Sequence, residues 1–426
     1  MMLLRAIRIL PLLPVLLLAQ PAQDPAALGR KALDLLLAGN YPELSPMFTT
    51  DMKKALPEEA LGKIGAQIKS WGAVEKIGEP SPRKAGPNTI VDFPVKFAAQ
   101  NINFRFIIDR DGLVAGMFQL PGAVDWQRPA YSKPDSFRER EVTVGDGQWK
   151  LPGTLTVPVG QGPFPAIALV HGSGANDRDE TVGGTKMFKD LAEGLASRGV
   201  VVLRYEKRTR QYAAAMAGMA NFTVEEEAVE DAVKAAALLR AQREVNSRRI
   251  FVLGHSLGGY VAPRIAEQDG KLAGLIVLAA NVRPTEDLVV EQAENSGVTA
   301  KNLETVKAVA AKVKSLEPGD EDSPPVMGVP VAYWLDLKGY DPAALAKKLA
   351  LPMLILQGER DSQVGTKDFA LWKAAVGASK GVTMRSYPAL NHLFVAGEGK
   401  STEAEYRKPG HVAPEVIEDI VKWLAP

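Results

Sequence analysis

Hydrophobic and polar positions along the chain follow three rhythms in turn. Residues 1–23, MMLLRAIRILPLLPVLLLAQPAQ, run almost continuously apolar behind arginines at 5 and 8, are interrupted by Pro11 and Pro14, and end in small and polar residues. A basic start, a short apolar run and a polar exit predict a secretory signal peptide and an exported protein, periplasmic or secreted, with an uncleaved anchor as the competing reading. No later segment approaches the ~20 consecutive apolar residues of a membrane span.

In residues 24–122 the period shortens. PAALGRKALDLLLAGN and PEEALGKIGAQIKSWG repeat apolar residues at spacings of three and four, which predicts amphipathic helices. NTIVDFPVKFAA, INFRFIID and LVAGMFQL then alternate apolar with polar, and DRDG at 109–112 supplies a hairpin turn. Helices followed by an antiparallel meander make a small α+β domain. It holds no histidine and no evident acid–base set. A packing or binding module is expected, and contact with a polymer or cell-surface partner is its functional variant.

A stretch rich in proline and polar residues, 123–138, reads as a linker. From 139 to 426 the rhythm changes again. After the hairpin REVTVGDGQWKLPGTLTVP come continuous apolar runs, PAIALV, GVVVLRY, RIFVLG, GLIVLAA and PMLILQG, then VTMRSYP. They alternate with amphipathic segments such as FTVEEEAVEDAVKAAALLRAQ. Strands buried on both faces with helices between them predict an α/β domain built on a mostly parallel sheet of about eight strands. The alternation lapses over 281–350, which predicts a mainly helical cap insertion above the carboxyl edge of the sheet.

Composition adds limits. At 426 residues the chain exceeds what a single core usually organises. Lys plus Arg (51) and Asp plus Glu (50) nearly cancel, so no global field steers it towards nucleic acid. With no cysteine, disulfides, thiolate metal sites and a cysteine nucleophile are excluded.

The candidate chemistry begins at FVLGHSLGGY, 251–260, where a buried run meets a helical segment through glycines at 254, 258 and 259. A G-x-S-x-G turn between strand and helix lifts its serine clear of the sheet, which makes Ser256 the candidate nucleophile. A serine hydroxyl needs a neighbouring base. Of the four histidines, His255 adjoins the serine and should point away from it, and His171 sits in a strand-ending HGSG. His392, in the loop PALNHLF after the final strand, is placed to reach back over the sheet, with His411 as its rival. Asp361, in LILQGERDSQV, is the carboxylate expected to orient that imidazole, with Glu359 as local competitor. For the developing oxyanion, the N–H of Leu257 and a donor from HGSG are expected, Ser173 first and Gly172 second.

These segments carry a resemblance. LVHGSGANDRDE, LRYEKRTRQY, GHSLGGYVAPRIA, LQGERDSQV and LNHLF are together similar to the EstD-like bacterial esterases of the α/β-hydrolase superfamily, related to the dienelactone-hydrolase and acyl-peptidase branch. The resemblance implies a triad of Ser256, Asp361 and His392. It implies hydrolysis of small-molecule carboxylic esters with short acyl chains, without metal or organic cofactor. It also implies that 24–122 is like the cone-shaped nuclear-transport-factor-like domains. A peptidase or amidase on the same fold is the alternative function.

Tyr333 and Trp334, in the insertion, are candidate walls of an acyl pocket, with ordinary packing of the cap as the equal alternative. The acids of NDRDE, 176–180, lack the ligand spacing of a calcium loop and are expected to form a turn salt-linked through Arg178. Arg204, Lys207 and Arg208 read as a polar network after a strand before they read as an anion site.

Overall fold

The computed structural model describes residues 24–122 and 126–425, and the chain forms two compact units, Met1–Ala123 and Val124–Pro426. The expected export signal, 1–23, lies outside the described residues, as do the first three positions of the expected linker.

In the first unit, helix α1 (Pro25–Ala38) starts where the Asp24 carboxylate accepts the Ala26 N–H at 3.0 Å. It stops at Gly39 in the left-handed region. With α2 (Glu58–Ser70) it packs on an antiparallel sheet of β1 (Val74–Ile77), β2 (Ser81–Ala85), β3 (Asn88–Phe97), β4 (Asn101–Ile108) and β5 (Val114–Pro121). The alternation is visible directly: Ile102, Phe104, Phe106 and Ile108 of β4 point inward against Leu33, Leu36 and Phe93. At the β4–β5 turn the Asp109 carboxylate accepts the N–H groups of Asp111 and Leu113, at 2.9 and 2.8 Å. Strands β1 and β2 have almost no buried face, which is why no alternation marks them in the sequence.

The second unit is organised by a sheet of eight strands. They are β6 (Phe137–Val144), β7 (Leu151–Pro158), β8 (Phe164–Val170), β9 (Val201–Tyr205), β10 (Val245–His255), β11 (Gly274–Leu278), β12 (Met353–Gly358) and β13 (Val382–Tyr387). Their spatial order is β13-β12-β11-β10-β8-β9-β7-β6, parallel from β13 to β9 and antiparallel through β7 and β6. Apolar clusters cover both faces, one around Val252, Ile265, Trp372 and Ala235 of α4 (Glu230–Arg240), the other around Leu253, Leu191 and Ile417. Both faces are buried, so the central strands read as unbroken apolar runs. The insertion between β11 and β12 is helical, with α6 (Thr285–Ser296), α7 (Ala300–Ser315), α8 (Val331–Leu337) and α9 (Pro342–Leu349). Arg264 ties it to the body by donating to the Asp336 carboxylate at 2.8 Å.

The expectation of a linker at 123–138 is corrected. Residues 126–136 lie along α3 (Met187–Ala196) as a strap, and β6 begins at Phe137. Trp126 Nε1 donates to Asp190 at 2.8 Å, and Arg128 Nε and Ser132 Oγ donate to Glu193 at 2.7 and 2.6 Å. The Lys133 N–H reaches Ser197 Oγ at 2.8 Å. The cause is two fully buried carboxylates on the covered face of α3, which need donors once water is excluded.

Candidate active site

Strand β10 delivers its last six residues fully buried, and α5 (Leu257–Asp269) departs at once. The corner between them is Ser256, at φ 52° and ψ −118°, a conformation that costs a non-glycine residue about 1–3 kcal/mol and persists only where the surroundings enforce it. They do so here. The Ser256 N–H donates to the Leu278 carbonyl and its own carbonyl accepts the Tyr260 N–H, both at 2.9 Å. A Cβ on Gly254 would collide with the Gly258 carbonyl, and one on Gly258 with the carbonyl of Val170, so the glycines answer to close backbone approach. The Ser256 side chain makes no capping bond, which leaves its oxygen available above the sheet.

His392 Nδ1 lies 2.6 Å from Asp361 Oδ2, and both side chains are buried. Asp361 is itself fixed, because its Oδ1 accepts the N–H groups of Gln363 and Val364 at 2.7 and 2.9 Å. With an acceptor-only carboxylate at Nδ1, the imidazole carries its proton there and keeps Nε2 as the basic nitrogen. The His392 ring packs against that of His255, with centroids 4.6 Å apart, which sets it beside the residue preceding Ser256.

The rivals are engaged elsewhere. His411 Nδ1 sits 3.1 Å from Asp190 Oδ2 and its ring meets the edge of Trp126. That hydrogen bond raises its pKa above the ordinary histidine value despite partial burial. Glu359 accepts the Ser386 hydroxyl at 2.7 Å. Burial pushes the His171 pKa down to about 4, and its ring packs against Phe188 and Tyr205 as a neutral core residue.

Of the oxyanion candidates, Leu257 opens α5, where first-turn N–H groups have no helical carbonyl to meet. The N–H of Ser173 has no acceptor among the described residues. Gly172 is a correction, since its N–H donates to Glu180 Oε1 at 2.6 Å and is not available to a substrate. Ser173 and Leu257 both line a cavity of about 430 Å³, together with Met216, Phe222, Val289, Tyr333 and Trp334. Its one charged lining residue is Glu227, which accepts the Tyr333 hydroxyl at 2.6 Å and pairs with Lys207 Nζ at 2.5 Å. Burial first, and the Glu227 charge second, hold the Tyr333 phenol well above its usual pKa, so it stays a donor.

One buried charge pair is not legible in the sequence. In NDRDE, Arg178 does form the expected links, to Glu206 and Glu141 at 3.0 and 2.7 Å. Arg204 meets Asp179 and Glu139, and Arg208 meets Asp231, which makes them the polar network that was expected. The final acid, Glu180, instead turns inward to His255 Nδ1, 3.1 Å away, in a contact that is Coulombic and poorly aligned for a hydrogen bond. His255 Nε2 lies 3.0 Å from the His392 carbonyl oxygen. The positive φ of 46° at Glu180, a residue with a Cβ, reflects that inward turn.

Burial is the largest influence and alone would lower the His255 pKa, but Glu180, the His392 carbonyl and the Asp361 charge together outweigh it and the value is raised. Burial would likewise raise Glu180, and His255 with the Gly172 N–H holds it below the usual carboxylate value. The histidine contribution to stability is then complete below its unfolded pKa of ~6.5 and lost as pH rises through the raised value. The glutamate contribution is complete above ~4.3 and lost as pH falls through the lowered value. Glu180→Gln is therefore expected to destabilise most between about pH 4.5 and 6.5, and less as pH rises beyond. The loss should reach at most about 3 kcal/mol, the low end for a broken buried pair, because His255 sheds its proton instead of staying charged and alone. Denaturant melts of both proteins at several pH values measure this; a gap that widens with alkalinity contradicts it.

Among the described residues, no group of three or more His, Asp or Glu side chains is placed to hold a metal ion, and no helix is long and apolar enough to cross a membrane.

Comparison with known proteins bears on both units. A family described as serine aminopeptidase, S33, matches residues 166–323, and a family described as protein of unknown function (DUF3887) matches 30–117. The sequence is 42% identical to Esterase EstD of Thermotoga maritima over 394 residues, 91% of this chain and 92% of that protein. Among solved structures, the Pyrococcus furiosus esterase Pf2001 is similar with a TM-score of 0.44 and 14% identity, over 71% of this chain and 97% of that one. Est1E from Butyrivibrio proteoclasticus has a TM-score of 0.44 and 15% identity, over 67% and 99%.

Proposed function

The chain belongs to the α/β-hydrolase family that includes esterase EstD, and from that premise we propose that it is a serine carboxylesterase acting on short-chain esters. The observation that carries this reading is the 2.6 Å contact between His392 and a doubly anchored Asp361, next to the strained corner that presents Ser256. Ser256 Oγ attacks the ester carbonyl as its proton passes to His392 Nε2. The tetrahedral oxyanion is held by the N–H groups of Leu257 and Ser173. His392 then returns the proton to the departing alkoxide, which leaves as the alcohol, and the acyl group stays on Ser256. Water deprotonated by His392 adds to that acyl group, and the acid and free serine are regenerated.

The cavity beside Ser173 and Leu257 is mainly apolar, which suits a short acyl chain. An aminopeptidase would need a free carboxylate for the substrate ammonium. Glu227 lines the cavity, but its two oxygens already serve Lys207 and Tyr333, so the ester reading is favoured. The opening sequence supports export of the enzyme.

The test is hydrolysis of p-nitrophenyl acetate, butyrate and octanoate beside a matched anilide. Turnover of the two short esters exceeding that of octanoate and of the anilide by about 100-fold or more is expected; equal or faster anilide cleavage points to the aminopeptidase reading instead.

A further inference from the structure

The loop leaving β8 is held at both ends of one residue. The Gly172 N–H is taken by Glu180, and the Gly172 carbonyl accepts from Lys207 Nζ at 2.7 Å and Asn176 Nδ2 at 3.0 Å, which fills both of its lone pairs. That carbonyl and the N–H of Ser173 are opposite ends of one planar, trans peptide, so they point in opposite directions. Pinning the oxygen on the protein side aims the Ser173 N–H away from it, and among the described residues that N–H has no acceptor.

We propose that Lys207 is a positioning residue for the oxyanion hole: its ammonium orients and polarises the Gly172–Ser173 peptide, and Glu227, capped by Tyr333 of the insertion, holds it in place. The inference rests on the esterase reading above. A cation on a carbonyl draws electron density through the peptide and leaves its N–H a stronger donor. Lys207 is only 2% exposed, so water does little to screen that effect. Stability is a poor explanation for the arrangement, because desolvating a lysine and a glutamate roughly cancels what their pairing returns. The Tyr333 hydroxyl on Glu227 makes the chain of contacts run from the cap to the oxyanion donor, so the seating of the cap bears on the donor's strength.

The decisive variant is Lys207→Met/Glu227→Gln, which removes both charges and leaves Tyr333 an acceptor. Its kcat and KM on p-nitrophenyl butyrate are measured beside the affinity for two ketones. A trifluoromethyl ketone adds Ser256 Oγ to its carbonyl and presents an oxyanion, whereas the parent methyl ketone binds without addition. We expect kcat to fall about 10- to 100-fold with KM within about threefold, short of the full loss of a donor. Affinity for the trifluoromethyl ketone should fall by the same factor, with the methyl ketone unaffected. A folded variant with kcat within threefold of wild type overturns the proposal, as does an equal loss of affinity for both ketones, which would mean a collapsed pocket. If the double variant does not fold, Tyr333→Phe is measured in the same way. A drop of about two- to fivefold confined to kcat and the trifluoromethyl ketone supports the relay, and no change in either overturns it. Absence of any Ser256-dependent turnover by the wild-type enzyme would instead sink the esterase reading on which all this stands.

Discussion

Ser256→Ala is expected to lower kcat for ester hydrolysis about 10⁶-fold, the scale on which serine triads lose activity when the nucleophile goes. The size of the loss follows from how little else the hydroxyl does. Its oxygen caps no helix, and the corner is held by backbone bonds to Leu278 and Tyr260 and by glycines at 254 and 258. Alanine accepts the same strained φ and ψ as serine, so the melting temperature should stay within a few degrees of wild type. Residual catalysis of about 10³–10⁴ over water, from the oxyanion donors and binding, should remain. Steady-state rates on p-nitrophenyl butyrate and a thermal melt decide the matter together. A well-folded variant that keeps a tenth of the activity would remove Ser256 from the mechanism, whatever its position in the turn.

The parts of this protein that could be read from sequence are those whose physics is local. A strand buried on one face must alternate and one buried on both must not, and β4 and β10 obey those rules along consecutive residues. The nucleophile turn is equally local, since its glycines are demanded by carbonyls at the same corner and by one neighbouring strand. The pairing of Asp361 with His392 was legible because each follows a strand end, where loops of neighbouring strands meet. What escaped depends on distant contacts between charges. Tyr333 meets Glu227 across 106 positions, and Arg128 meets Glu193 across 65. A buried ion pair has the same composition as a solvated one, so in the sequence Glu180 reads as one acid in a turn until its inward contact with His255 is seen. Gly172 was misjudged for the same reason, because only the fold reveals that a carboxylate eight residues away consumes its N–H.

Asp361→Asn is expected to cost about 10⁴ in kcat with the fold intact, the magnitude seen when a triad carboxylate becomes an amide of the same shape. The surroundings of Asp361 decide which way the amide turns. Its Oδ1 faces two backbone donors, the N–H groups of Gln363 and Val364 at 2.7 and 2.9 Å, and an NH₂ group placed there would set donors against donors. The asparagine oxygen must therefore occupy that side, which leaves its nitrogen where Oδ2 now meets His392 Nδ1. An N–H donor at that position calls for a lone pair on Nδ1, so the imidazole proton moves to Nε2, the nitrogen that has to accept from Ser256. The variant is thus disabled by the tautomer it imposes, while the shape of the loop is kept. Glu359→Gln is the natural comparison, because among the described residues that carboxylate accepts only from Ser386, in the same loop region, and the change should leave kcat within about twofold of wild type. The two variants are compared by kcat on p-nitrophenyl butyrate and by melting temperature. Should Asp361→Asn stay within tenfold of wild type, or Glu359→Gln take the larger loss, the orienting carboxylate has been assigned to the wrong residue.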